Sequence, residues 1–375
     1  MKRKTITLLS VILTICIAFS VTHHLLGRNT ATLTEILASR RDPEIEAKLE
    51  AMTLEEKVGQ MFMGCFYNGT PSVETVNRYH LGSILLFSES FKDNDKTSIR
   101  SALDAIASGS DIKPIVAVDE EGGTVNRVSL FPEFRSEPFK SPRELFAAGG
   151  MDAVIDDVHE KNLLLSQLGI NLNLAPVCDI SQDPDEFMYS RSLGQNAVVT
   201  AQYTSKVVTA CLDDNMGCCL KHFPGYGNSK DTHKGIAVDN RPLTQLEQND
   251  FIPFIAGINA GAPAVLVSHN IVSALDGKLP ASLSPAVHRL LRYDMNFDGV
   301  IITDDLSMKA ISQFIPDTDS AVSAVMAGND ILCTGNFKEQ WEAVVSAVKA
   351  GKISKQRIDN SVRRILLWKK SMSLF

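Results

Sequence analysis

Two short stretches of this chain carry residue types able to move protons and meet a developing charge. The first runs Lys221-His222-Phe223-Pro224-Gly225 and on to Asp231-Thr232-His233. It follows the apolar run 217–220, so it reads as the end of a buried strand opening into a loop. Asp231 and His233 are spaced as a proton-transfer pair, in which the carboxylate favours the imidazolium, orients the ring and brings its titration near neutral pH. The second is Thr303-Asp304-Asp305, directly after the apolar run 299–302. A carboxylate held rigidly there suits a covalent or electrostatic partner for a cation forming in a substrate. Asp305 suits a structural role at the start of the next helix. Metal chemistry is the competing reading, since His222, His233, Asp231, His269 and Asp304 are all ligand types. The first apolar run, however, ends in Gly64-Cys65-Phe66 and lacks the His-x-His pair that barrel metallohydrolases place there, so no metal is expected.

The elements that must position these residues repeat along the chain. Apolar runs bounded by turn residues occur at 60–66, 83–87, 114–118, 170–176, 217–220, 264–267, 299–302 and 330–333. Amphipathic segments fall between them at 73–79, 97–107, 151–168, 198–215, 243–260, 285–293 and 308–326, and a last one begins at 338. Short continuous apolar strands alternating with helices mean parallel strands covered by helices, and eight such units predict an α/β fold closed as a single (β/α)8 TIM barrel. An open doubly wound sheet lacks the glycine fingerprint expected after its first strand. In a barrel, functional groups belong just after the strands. Asp119-Glu120-Glu121 follows the third run, Asp179 and later Arg191 the fourth, His269 the sixth and Asp304 the seventh.

Composition sets the class and the compartment. With 375 residues, 44% hydrophobic and 22% charged, the chain can bury a sizeable core, and its net charge of -7 argues against a nucleic-acid partner. Lys2, Arg3 and Lys4 precede an uncharged apolar run from 5 to 21, which reads as a signal peptide or a membrane anchor over 1–28. The protein is therefore expected to be exported, either extracellular or anchored by that segment and facing the cell wall. Residues 29–49 read as a linker and 50–375 as the barrel, whose first helix is announced by Thr53 and Glu56 in capping-box spacing. The six cysteines beyond Cys16 form no CxxC pair and sit mostly in apolar runs, as core residues do.

The motifs together carry a family resemblance. Lys221-His222-Phe223-Pro224-Gly225, Asp231-Thr232-His233, Asp119-Glu120-Glu121-Gly122-Gly123, Ser190-Arg191-Ser192-Leu193-Gly194 and Thr303-Asp304-Asp305-Leu306-Ser307-Met308 resemble the β-N-acetylhexosaminidases of family-3 glycoside hydrolases. So do Met52-Thr53-Leu54-Glu55-Glu56-Lys57 and Pro280-Ala281-Ser282-Leu283-Ser284, so that the resemblance covers residues 50 to 370. It implies a (β/α)8 barrel that hydrolyses terminal β-linked N-acetylglucosamine in two steps with retention and without a cofactor. Asp304 would be the nucleophile, and His233 paired with Asp231 the acid/base. Asp119, Arg127, Arg191, Lys221 and His222 would bind sugar hydroxyls. Tyr226 and Asn228 depart from the His and Asp of many members, the spacing from Gly227 to Asp231 is one residue shorter, and Thr124 replaces a common arginine. Those departures touch the loop and rim, and put subsite preference rather than the reaction in question. A family-3 β-glucosidase or glycoside phosphorylase, and more remotely a sugar-binding protein without turnover, are the alternatives.

Overall fold

A computed structural model describes residues 42–227, 232 and 234–375. Asp231 and His233 lie outside the described residues, as does the N-terminal apolar run. Eight parallel strands form one sheet: β1 (Phe62–Phe66), β2 (Ser83–Leu86), β3 (Ile115–Val118), β4 (Leu172–Asn173), β5 (Gly217–Phe223), β6 (Ala264–Val267), β7 (Val300–Thr303) and β8 (Leu332–Thr334). Each pairs with the next as far as β7, and β8 pairs in parallel with β1. A parallel bridge from Ile302 to Ile331 joins β7 to β8 and completes the ring. Sequences such as IVAV in β3 and VIIT in β7 are buried at every position, because a barrel strand has side chains in the interior and against the helices.

Helices cross between the strands, among them Lys96–Ser108, Pro142–Leu168, Ala197–Asp213, Phe251–Asn259 and Asp317–Ala327, and Phe337–Lys349 and Lys355–Ser371 complete the outer layer. Thr53 caps Leu54–Gln60 with the expected box, its hydroxyl accepting from the Glu56 N–H while Glu56 accepts from the Thr53 N–H. Each strand predicted from the sequence is present. The fourth is shortened to two residues: the Ala175 N–H turns back to Asn173 O at 2.8 Å instead of continuing a regular ladder. The helix expected from 151 begins at Pro142 behind a second capping box, Ser141 with Glu144, and is interrupted by non-helical backbone at Gly149 and Gly150. The segment expected at 308–326 is two helices, Lys309–Ser312 and Asp317–Ala327, separated at Pro316. Part of the expected linker is also helical: Pro43–Ala51 buries Ile45 and Leu49.

Strand β5 runs three residues past its predicted end. Its register against β6 shifts between Leu220 and Phe223, so Leu220 faces Val265 and Phe223 faces Val267. The extra residue lies in Lys221-His222, whose peptide bond is cis. Both side chains consequently reach the mouth of the barrel, where alternation along a regular strand would separate them. The six described cysteines are free and buried, with Cys65 and Cys333 touching through their sulfurs at 3.4 Å. Among the described residues, no helix is long and apolar enough to cross a membrane.

Candidate active site

The carboxyl ends of β3, β4 and β5 bring four charged side chains into one buried cluster. Lys221 Nζ donates to Asp119 Oδ1 at 2.6 Å and pairs with Glu121 Oε1 at 2.6 Å. Arg191 grips the same Glu121 with both arms, Nε to Oε2 at 2.9 Å and Nη2 to Oε1 at 2.6 Å. Burial alone would push the Glu121 carboxyl up, but the two cations outweigh it and hold Glu121 well below the usual carboxylate range. Burial likewise works against the charge on Lys221, and Asp119 and Glu121 reverse that, leaving the ammonium more firmly protonated than usual. Arg127 stands on the outer side of Asp119, with Nη2 3.9 Å from Oδ2 and its guanidinium over the Phe87 ring.

His222 joins this cluster to a second carboxylate. Asp179 Oδ2 lies 2.8 Å from His222 Nδ1, while Arg191 Nη2 lies 3.1 Å from Nε2. A guanidinium only donates, so Nε2 is the acceptor and Nδ1 carries the proton toward Asp179. Asp179 also accepts from the backbone N–H of His222 at 3.1 Å and of Tyr226 at 2.7 Å, which fixes the turn leaving β5. Glu120, the middle acid of its motif, turns away from the mouth. It is fully buried and accepts the N–H groups of Arg127, Val128 and Ser129, so it folds the loop after β3 and thereby places Arg127.

Asp304 ends β7, with its N–H bonded to Val267 O at 2.9 Å and its Oδ1 accepting from the Asp305 N–H at 2.9 Å. Burial first, and then the negative charge of Asp304, oppose ionisation of Tyr226; at Cys333 a hydrogen bond from Cys65 is outweighed by burial and the charge of Asp305, with Asp304 acting after them in the same direction. Asp305 has the structural role expected of it: Oδ1 accepts from the Ser307 N–H at 2.9 Å, and Oδ2 takes the hydroxyl of Tyr67. His269 holds the same corner, with Nε2 2.9 Å from Asp305 O and Nδ1 2.8 Å from Ser282 Oγ. The imidazole that looked available for a metal is thus committed to two neutral oxygens. Among the described residues, no group of three His, Cys, Asp or Glu side chains could hold a metal ion.

The structure therefore gathers Asp119, Arg127, Arg191, Lys221 and His222 at one mouth, with Asp304 at the end of β7 on the same face. The organising roles of Glu121, Asp179 and Tyr67 were not predicted. Glu121 and Asp179 lay in view just after strands, the signal that marked their neighbours. Tyr67 follows β1 without any motif around it.

This geometry can be set beside known proteins. The family model of the glycosyl hydrolase family 3 N-terminal domain matches residues 53–367. The chain belongs to glycosyl hydrolase family 3. This family-3 chain is 31% identical over 355 residues to the β-hexosaminidase LpqI of Mycobacterium tuberculosis, covering 92% of this chain and 89% of the relative. It is 32% identical over 236 residues to a β-hexosaminidase of Xanthomonas campestris, covering 61% and 70%. The solved structure of M. tuberculosis LpqI superposes with a TM-score of 0.79 at 29% identity, over 87% of this chain and 96% of that one. A family-3 β-N-acetylglucosaminidase from Paenibacillus sp. FPU-7 gives a TM-score of 0.79 at 30% identity over 86% of this chain. The family-3 chain spans 63% of that longer protein, less than two thirds. It is a glycoside hydrolase with a TIM-barrel fold.

Proposed function

We propose that the protein is a retaining β-N-acetylhexosaminidase, acting on terminal β-linked N-acetylglucosamine in peptidoglycan-derived or similar amino-sugar glycans. The observation that carries this reading is the closed ion-pair cluster of Asp119, Glu121, Arg191 and Lys221 beside Asp304. It presents fixed donors and acceptors to sugar hydroxyls, and a sugar lacking one hydroxyl leaves a polar group of the closed site without its hydrogen bond. The resemblance to proteins named β-hexosaminidases supports the amino sugar as substrate.

On this reading Asp304 attacks the anomeric carbon as the glycosidic bond breaks, giving a glycosyl-enzyme. His233, oriented by Asp231, protonates the leaving oxygen and then takes a proton from the water that displaces Asp304. Asp119, Arg127, Arg191, Lys221 and His222 hold the ring. The charged N-terminus and the apolar run at 5–21 favour export, which places the enzyme where cell-wall fragments are.

The test is turnover of an aryl β-N-acetylglucosaminide beside the matching β-glucoside, with Asp304→Asn as control and the first-formed anomer followed by proton NMR. Hydrolysis of the acetamido sugar to the β-anomer, abolished in the control, is expected. Preference for the glucoside, an α-anomer product, acceleration by phosphate with release of a sugar phosphate, or activity surviving Asp304→Asn each overturns part of the assignment.

A further inference from the structure

Arg241 lies outside the cluster described above and is paired with a carboxylate on each side. Its Nε is 3.1 and 3.0 Å from Asp239 Oδ1 and Oδ2, and its Nη2 is 2.8 Å from Asp239 Oδ2. On its other side Nη1 reaches Asp250 Oδ2 at 2.8 Å and Nη2 reaches Asp250 Oδ1 at 2.9 Å. The side chains of Asp239 and Asp250 are 0% and 2% exposed, so one guanidinium fork is held between two buried carboxylates.

The chain leaving β5 is laid directly on this fork. A Cβ on Gly227 would fall 2.2 Å from Arg241 Cζ, and one on Gly225 would fall 2.5 Å from Asp250 Oδ1. Both glycines have positive φ, 116° and 51° for Gly225 and Gly227, so the approach requires residues without a side chain. Asp239 belongs to the returning chain, where Val238–Asp239 pairs with Ile271–Val272 and Asp239 O accepts from the Ser273 N–H at 2.9 Å. Arg241 thus ties the outgoing backbone at 225–227 to the returning backbone at 239. Between the two glycines, Tyr226 bonds through its N–H to Asp179 and sets its ring edge against His222, 5.3 Å between centroids. Its buried hydroxyl meets that of Thr232, which is fully buried and stands between Asp231 and His233 in the sequence.

We infer that Arg241 is a positioning residue for acid/base catalysis: it fixes the base of the excursion bearing Asp231 and His233, and Tyr226 carries that placement to Thr232. The inference rests on the role of His233 proposed above. A fork against two carboxylates specifies one angle between the two chain ends, which an apolar contact of equal area would leave loose. Displacing a proton donor by about 1 Å costs on the order of 100-fold in rate, and most of that loss falls where leaving-group departure needs the proton.

The experiment measures kcat/KM for aryl β-N-acetylglucosaminides with activated and unactivated leaving groups, on the full chain and its Arg241→Lys, Tyr226→Phe and His233→Gly variants. Arg241→Lys keeps the charge and removes the fork. Its expected loss is roughly 30-fold or more on the unactivated substrate and about threefold or less on the activated one, by the same positioning argument. Tyr226→Phe removes one hydroxyl, keeps the packing, and is expected to shift the ratio the same way by a smaller factor. Equal losses on both substrates, or a lowered melting temperature with unchanged kinetics, would overturn the positioning role. Should Arg241→Lys fail to fold, an unchanged ratio in Tyr226→Phe overturns it instead. A His233→Gly variant that does not discriminate between the substrates sinks the acid assignment itself. Discrimination by His233→Gly but not by Arg241→Lys sinks only the inference about Arg241.

Discussion

Lys369 is fully buried on the closing helix Lys355–Ser371, with its ammonium donating to the Gln60 Oε1 at 2.8 Å. Among the described residues no carboxylate offsets its burial, which pushes its pKa from the usual 10.5 down to about 7. The unfolded chain keeps that proton up to about pH 10.5 while the folded chain releases it near pH 7. Folding therefore expels a proton between these values, so stability rises with pH across the window and levels off below it. The slope is about 0.7 kcal/mol per pH unit at pH 7 itself and approaches about 1.4 above it, which amounts to about 2 kcal/mol between roughly pH 7 and pH 9. Relative to an uncharged side chain, the lysine costs about 4 kcal/mol at neutral pH on this arithmetic. Lys369→Met removes that cost but strands the Gln60 oxygen, a loss of about 1 to 3 kcal/mol. The net expectation is a variant about 1 to 3 kcal/mol more stable than the parent at neutral pH. The assay is urea denaturation of parent and variant at intervals of pH, taking the difference so that other titrating groups cancel. A difference that stays constant with pH, or a variant less stable at neutral pH, refutes the reasoning.

Other expectations concern the mouth and the frame. Glu121→Gln leaves Lys221 and Arg191 facing a neutral amide, so denaturant unfolding should show a loss of about 3 to 5 kcal/mol and sugar turnover should fall with it. Because Glu121 titrates well below its usual range, its contribution is present above the ordinary carboxylate pKa and fades as pH falls below it; the Glu121→Gln variant should lack that part of the acid sensitivity in a melting series. Asp179→Asn replaces one of the two carboxylate oxygens, which together accept from two N–H groups and the His222 ring, with an NH2 donor, and should raise KM for the sugar while the far-ultraviolet circular dichroism stays unchanged. Thr53→Ala removes the first capping box and should cost about 1 kcal/mol in equilibrium unfolding with no change in kinetics.

The barrel was legible because most of its strands fall in short apolar runs, and burial against both interior and helices leaves those runs no polar alternative. What was lost lay where backbone chemistry overrides pattern. The Ala175 N–H turns back to Asn173 O and ends β4 early within the run 170–176, and Gly149-Gly150 hides the first turns of a helix that Ser141 and Glu144 begin. The placement of the candidate residues at the barrel mouth was legible by position, since Asp119, Arg191, Lys221, His222 and Asp304 all sit at or after strand ends. Their partners were harder to read. Glu120 and Glu121 are adjacent acids in one motif, yet one folds a loop and the other binds two cations, a division set by which way the chain turns after β3. Tyr67 after β1 reaches Asp305 after β7 past the intervening β8, a contact between residues 238 positions apart that no local spacing announces.

The register shift in β5 bears on any attempt to move this site into another scaffold. A regularly pleated strand offers the lumen every second side chain, so a graft that copied only the residue identities would send either Lys221 or His222 outward among the helices. The cluster would then lose its central cation or its link to Asp179. Transplanting the chemistry requires transplanting the irregularity, and a designer would have to treat that one surplus residue of backbone as part of the recognition element.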